Sequence, residues 1–510
     1  MELIREEIRV ETPVAGMLSA AVAEGEVCIL DDMPSVDKVF CCDPKVGSVQ
    51  AQAEQGSIAV TGVVEFTVVY ASGAELASAS ARCAFAHTLS APQVTPQMLV
   101  QVYCEPTLAS AKWVHERCVA VECVVQMEAE AIEAKRMACV AKIQDENLEV
   151  NTAAVQWASL SGHSASSFTL REDVELPAGL PDMKEALLSQ ARVKVQDVRV
   201  RDGHALITGQ LLVQILYATA IAGMPVQSAD FEIPYTAPLS ISELSNEMVI
   251  SALGEATDLI VRGYDDASGQ KRVLSIEAPI LFKISAYISG KSALIHDAYG
   301  LDRDISLEKV PVTLYDVPKT RLGDVIVSGT LPNLEGSHDI GRILFVTVRP
   351  MVDSVSSTKD RAAFSGRMMT RIFYMQSEEA GVGCVEAEAP FDAGMDIAGL
   401  SSGAQLRLST HCLQASAHRT VNGVFDIRAQ LEVKTIIRQS EPGNVIVNVQ
   451  EGNPVEVDNL APLMLVMVAQ GETLWAVAQR CRVPIKTLME YNAELADRDL
   501  KPGDCLVVMR

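Results

Sequence analysis

One strand-like segment is written three times in this chain, and it constrains the fold more than any other feature. It runs from Ser57 to Tyr70, from His204 to Tyr217 and from Arg361 to Tyr374. In each copy a Gly preceded by Thr or Ser stands eight residues before a Tyr: Gly62 and Tyr70, Gly209 and Tyr217, Gly366 and Tyr374. Side chains alternate along a strand, so an even separation puts Gly and Tyr on one face. That face reads Ile58, Val60, Gly62, Val64, Phe66, Val68, Tyr70 in the first copy. In the third copy the other face carries Arg361, Ser365, Arg367 and Arg371, which predicts a solvated side. A Gly inside such a strand marks a bulge or a close backbone approach.

Each copy has a similar setting. A strand candidate precedes it, at Lys45 to Glu54, Arg192 to Val200 and Ile343 to Val352. A proline-bearing stretch follows, at Ala91-Pro92, Pro234 to Pro238 and Ala389 to Phe391. A closing strand comes last, at Val119 to Glu130, Arg272 to Tyr287 and Val424 to Ile437. The expected fold is mostly β: three repeated antiparallel, sandwich-like domains over 1–148, 160–297 and 304–440. Aromatics are only 5% of residues, so branched aliphatics must fill the cores, as suits strands. After the third domain, the charged, proline-bearing stretch 441–463 reads as an extended, mobile linker.

A formal charge of −24 excludes nucleic acid as a partner, because no basic surface is there to release counterions from phosphates. The same balance disfavours anionic membranes and suits basic partners. The start Met1-Glu2-Leu3-Ile4-Arg5 has no basic segment leading into an apolar one, so no export signal is expected. No uncharged apolar stretch approaches the roughly 18 residues that span a membrane. The 12 cysteines are scattered and include the adjacent Cys41-Cys42, which reads as reduced thiols of a reducing compartment.

The last segment, 464–510, has its own pattern. Val468-Ala469-Gln470-Gly471-Glu472-Thr473-Leu474-Trp475 is followed by Val483, Leu488, Asn492 and Leu500-Lys501-Pro502-Gly503. Thr473 is a good N-cap, with Leu474, Val477, Ala478 and Cys481 at helical spacing behind it. A second helix can start at Pro484 and end at Asn492, and Pro502-Gly503 turns the chain into a closing strand, Cys505 to Met509. This order resembles a LysM module, a βααβ binding domain, with Glu472 in place of the usual Asp. The resemblance implies a ligand surface on two loops: Gly471, Glu472 and Thr473, then Asn492, Ala493, Glu494 and Leu495. In sugar-binding relatives those loops form a groove for N-acetylglucosamine polymers.

Three such repeats ahead of a LysM module resemble the spore coat assembly proteins of the SipL and SpoVID type, whose repeat is called SPOCS. The resemblance implies a non-enzymatic adaptor made in the mother cell and acting at the forespore surface. Its implied partners are the basement-layer ATPase, stage IV sporulation protein A, and other coat proteins. The competing reading is a peptidoglycan-binding envelope protein.

Catalytic and metal patterns are weak. Ser285 to Ser292 ends in Gly-Lys-Ser but lacks the first glycine of a phosphate loop. His411, Cys412 and His418 have no Cys-x-x-Cys beside them, and alternation sends His411 and Cys412 to opposite faces. Asp265-Asp266 lies among turn formers. No cofactor, metal site or catalytic residue is expected.

Overall fold

Strand accounts for 79% of the computed structural model and helix for 4%. The described residues are all except 74, 202–203, 222–223, 241–247, 266–268, 332–339, 377–380, 421–423, 456–461, 497–499 and 510. Among them, helix occurs only in the C-terminal module.

The first repeat comprises β1 (Glu2–Cys28), β2 (Lys38–Glu54), β3 (Ser57–Ser72), β4 (Glu75–Ser90), β5 (Leu99–His115) and β6 (Cys118–Gln144). Sheet β2-β3-β4 packs on sheet β1-β6-β5. The second repeat comprises β7 (Leu148–Glu175), β8 (Glu185–Arg201), β9 (His204–Ala218), β10 (Val226–Ser240), β11 (Val249–Ala256), β12 (Ile260–Asp265) and β13 (Lys271–Gly300). Here β8-β9-β10 faces β7-β13, with β11 and β12 on the far edge of β13. The third comprises β14 (Arg303–Tyr315), β15 (Lys319–Leu331), β16 (Ile340–Thr358), β17 (Arg361–Gln376), β18 (Val382–Asp396), β19 (Gln405–Arg419), β20 (Phe425–Arg438) and β21 (Ser440–Pro454). Sheet β16-β17-β18 packs on β15-β20-β19.

The Gly/Tyr segments are the central strands β3, β9 and β17. Their shared face is the core: Ile58, Val60, Val64, Phe66, Val68 and Tyr70 are all fully buried. Each Gly lies opposite an aromatic ring of the next strand, as Gly62 with Phe85, Gly209 with Tyr235 and Gly366 with Phe391. On its other side each Gly sits beside a bulge in the preceding strand. A side chain at Gly209 or Gly366 would strike the carbonyl oxygen of Lys194 or Met351, which is the close approach that the sequence predicts.

A second bulge faces each Tyr, and it builds the molecule's centre. Tyr70 pairs with Val39 and Val69 with Cys41; Tyr217 pairs with Ala186 and Leu216 with Leu188; Tyr374 pairs with Ile343 and Phe373 with Phe345. The residues around the three bulges, Phe40-Cys41, Leu187-Leu188 and Leu344-Phe345, join Val69, Leu216 and Phe373 in one apolar cluster. That cluster is assembled from the outer faces of three sheets. The expectation of a solvated outer face therefore fails at this end. Arg371 is only 5% exposed, bonded to Asp43 of the first repeat at 2.7 Å and to Glu386 at 3.0 Å.

Contacts between repeats run head to tail and close. Strand β4 meets β8, β10 meets β16, and β18 meets β2, so the last strand of each small sheet touches the first of the next. A heterologous contact repeated through a closing rotation makes a ring. A cavity of about 790 Å³ lies among the three sandwiches, lined by Glu128, Lys283, Tyr287 and Arg407 among others. Its basic groups have partners: Arg407 pairs with Glu128 at 3.4 Å and stacks on Tyr103, and Lys283 pairs with Glu255 at 2.8 Å.

Beyond the sandwiches, the long strands continue as three two-stranded ribbons. The start of β1 pairs with the end of β6, the start of β7 with the end of β13, and β14 with β21. Bulges at Val14/Met17 and at Ala286/Tyr287 mark where ribbon passes into sandwich in the first two repeats, while the third breaks the strand at residues 316–318. The ribbons share a core: Ile8, Cys139, Leu294, Val312 and Val445 form one cluster, and Val140, Ile295 and Ile446 anchor another. Glu11 sits at the junction, 3% exposed, accepting the Leu160 N–H of the second repeat and pairing with Arg438 of the third.

This corrects the expected linker. Residues 440–454 are strand β21, paired along the whole of β14, and Val445, Ile446 and Val449 are buried. Being at a sheet edge, β21 tolerates Pro442 and Pro454. Residues 456–461 of the expected linker lie outside the described residues. The module follows as β22 (Leu463–Met467), α1 (Leu474–Cys481), α2 (Ile485–Tyr491), the short α3 (Ala493–Ala496) and β23 (Cys505–Met509), with β22 antiparallel to β23.

Candidate binding site

The two expected loops flank the helices of the module. Thr473 caps α1, its Oγ1 accepting the Ala476 N–H at 3.2 Å. Glu472 Oε2 accepts the Ala469 N–H at 2.9 Å and is paired with Arg480, which locks the loop before the helix. Gly471 has φ +75°, in the left-handed region that favours glycine, with open space around its Cα. Gly471 and Thr473 remain exposed.

Asn492 is a structural clamp. It is 7% exposed, donates to the Leu488 and Val507 carbonyls at 2.7 Å each, and accepts the Val507 N–H at 2.8 Å. It ties the end of α2 to β23, with both Nδ2 hydrogens committed to backbone carbonyls. Ala493 and Glu494 are exposed, and Leu495 lies in α3. Of the expected site residues, Gly471, Thr473, Ala493 and Glu494 thus offer surface, while Glu472 and Asn492 support it.

Alternation splits the strands of the module. Met464 and Val466 pack on its core, whereas Leu463, Leu465 and Met467 are 58%, 71% and 66% exposed. Met509 and Cys505 flank them across the pair, leaving an apolar outer sheet face. Leu488 is core, at 1% exposure.

The module is docked on the ribbons rather than tethered. Tyr299, at the end of β13, meets Trp475 edge to face with centroids 4.9 Å apart, and its hydroxyl donates to the Val483 carbonyl at 2.7 Å. Trp475 Nε1 donates to Asp297 at 2.9 Å. Arg482, which ends α1 with φ 52°, donates to the Gly300 and Arg303 carbonyls and pairs with Asp304. The surroundings of Trp475 thus come partly from outside the module. Nothing local announces that Tyr299 and Asp297, at the end of another repeat's strand, supply its surroundings.

The weaker candidates are built into the sheets. Residues 285–292 continue β13, where Gly290 faces the Trp157 ring and the Ser292 hydroxyl donates to Glu6 at 2.6 Å. His411 bonds to Ser409, Cys412 packs on the third core, and Asp266 lies outside the described residues. Among the described residues no group of three His, Cys, Asp or Glu is placed to hold a metal ion. No helix among them is long and apolar enough to cross a membrane.

Comparison with known families agrees with this architecture. The LysM domain family matches residues 466–508, and the family described as SipL, SPOCS domain matches residues 35–113, 182–261 and 339–417. Each SPOCS match spans β2 to β5 or its counterparts and stops short of the strands that form the ribbons. No curated protein and no solved structure matches the chain. Both families consist of non-catalytic domains. The chain therefore carries three SipL SPOCS domains followed by a C-terminal LysM domain.

Proposed function

We propose that this protein is a non-enzymatic adaptor of the endospore coat. In this reading the ring of sandwiches is the rigid body and the LysM domain is the docking head. The head engages the basement-layer ATPase, stage IV sporulation protein A, on the mother-cell side of the forespore. The supporting observation is the row Leu463, Leu465 and Met467, exposed side by side on a module that is otherwise firmly packed against the ribbons. Exposed apolar rows of this kind favour protein surfaces over polar glycan. The net charge of −24 adds a preference for basic partner surfaces.

A second reading, peptidoglycan binding, draws on the exposure of Gly471, Thr473, Ala493 and Glu494. One experiment separates the two. Full-length protein, an L465E/M467E variant and an A493W variant are each tested for capture of the purified ATPase and for co-sedimentation with purified peptidoglycan. The adaptor reading expects ATPase capture to fall at least tenfold in L465E/M467E and to persist in A493W. Glycan retention abolished by A493W, with no ATPase captured by the parent, would transfer the assignment to the second reading.

A further inference from the structure

The ring has three seams, and only two of them join repeats that are consecutive in the chain. The seam between the third and first repeats has no such connection. At structurally matched positions the first seam holds Ser78, the partner of Val69, and Leu188, the partner of Leu216; the second holds Ser228, the partner of Leu216, and Phe345, the partner of Phe373. At the third seam the same positions hold Cys384, the partner of Phe373, and Cys41. Both side chains pack in the central apolar cluster, where β18 meets β2. The strands carrying them are held in register by Arg371, which reaches Asp43 and the Cys42 carbonyl on one side and Glu386 on the other.

We propose that Cys41 and Cys384 are an oxidation site whose disulfide closes the ring at its one unconnected seam. This proposal is independent of what the LysM domain binds. The oxidant is a low-molecular-weight disulfide. The Cys384 thiolate, half-buried and so the more accessible, attacks one sulfur of that disulfide and releases one small thiolate, which takes up the proton lost by Cys384. The Cys41 thiolate then attacks Cys384 in the mixed disulfide, forms the protein S–S bond and expels the second thiolate, which takes up the Cys41 proton. Two protein thiols are oxidised and one small disulfide is reduced to two thiols. The contact with Cys41, then burial, push the Cys384 thiol well above its usual range, so exchange is slow at neutral pH and quickens in alkali.

The test uses full-length protein with C28S and C505S, which remove the two exposed thiols that would otherwise cross-link molecules. The protein is equilibrated with oxidised glutathione at about pH 8.5, alkylated and digested without reduction. Mass spectrometry should find the peptides holding Cys41 and Cys384 joined and two hydrogens lighter than their sum. The melting temperature should rise by several degrees and return on adding dithiothreitol. The C42S variant should keep the link, and C41S and C384S should each lose both link and shift. Glutathione retained on Cys384 without closure, a link through Cys42, or complete oxidation with positions 41 and 384 still alkylated would each overturn the proposal. The mass-spectrometric result on the parent stands whether or not the serine variants fold.

Discussion

A Cβ placed on Gly209 would lie 2.0 Å from the Lys194 carbonyl oxygen, and one on Gly366 would lie 2.0 Å from that of Met351. On Gly62 the nearest atoms belong to the Phe85 ring, at 2.6 Å, and a ring can turn where a backbone carbonyl cannot. G209A and G366A are therefore expected to lose about 1–3 kcal/mol each, and G62A distinctly less. Urea titration of the three variants checks the order, and equal losses would contradict it. At the seam, Asp43 and Arg371 are each about 5% exposed, so removing one partner strands a buried charge. R371A is expected to cost about 3–5 kcal/mol. Burial opposes ionisation of Asp43, but Arg371 and then Lys45 outweigh it and hold the carboxyl below its usual value. A depressed folded value means that the unfolded chain binds the proton first as pH falls. The stability contributed by Asp43 is thus complete above about pH 4, the unfolded carboxyl range, and drains below it toward the folded value. D43N should lower the melting temperature near neutrality and flatten its decline between about pH 4 and pH 2. An acid limb as steep in D43N as in the parent would show that other carboxylates govern it.

Strands and helices whose signals are local were legible in the sequence. Alternation gave away β3, β9 and β17, the Gly/Tyr spacing put them at equivalent central places, and Thr473, Pro484 and Asn492 marked the ends of the module's helices. The elements that escaped are those whose meaning depends on distant partners. In β21 the alternating Val445, Val447 and Val449 were present, but the charges and prolines around them read as an extended linker, and only the partner β14 makes them a strand edge. The outer face of β17 read as solvated because nothing near Arg371 in sequence reveals Asp43, which arrives from 328 residues away. For the candidate site the loops were locatable, yet the division of labour within them was not. Asn492 is consumed by three backbone bonds, and those partners cannot be inferred from spacing. The docking of the module was equally hidden, and it carries a prediction of its own. The Arg482 side chain makes polar contacts with residues 300, 303 and 304, outside the module. R482A should leave the LysM domain folded and loosen it from the ribbons. Limited proteolysis should then release a C-terminal fragment many times faster than from the parent; an unchanged rate would mean that Tyr299 and Trp475 suffice.

As a whole, the molecule is one chain doing what three subunits do in a cyclic trimer. Each repeat contributes one sandwich to the ring, one bulge to its apolar centre and one ribbon to the bundle that carries the module. Glu11 is bonded to both of the other repeats at once, so none of the three is complete without its neighbours. Independent domains on flexible joins would unfold separately, whereas this arrangement should unfold as a unit. The chain carries three tryptophans, and they fall in three different layers. Trp113 lies in β5 of the first sandwich, donating to the Val36 carbonyl; Trp157 lies in the ribbon of the second repeat, near Ser292; Trp475 lies in the module against Tyr299. Variants that keep one tryptophan each, with Phe at the other two positions, report each layer alone. In guanidinium titrations the Trp113 and Trp157 transitions should share a midpoint, because sandwich and ribbon are continuous strands locked to the same neighbours. Adding R482A should shift the Trp475 transition to lower denaturant and leave the other two where they were. Separate midpoints for Trp113 and Trp157 would mean that the repeats are beads on a string, and the ring would then be a loose association rather than the unit of folding.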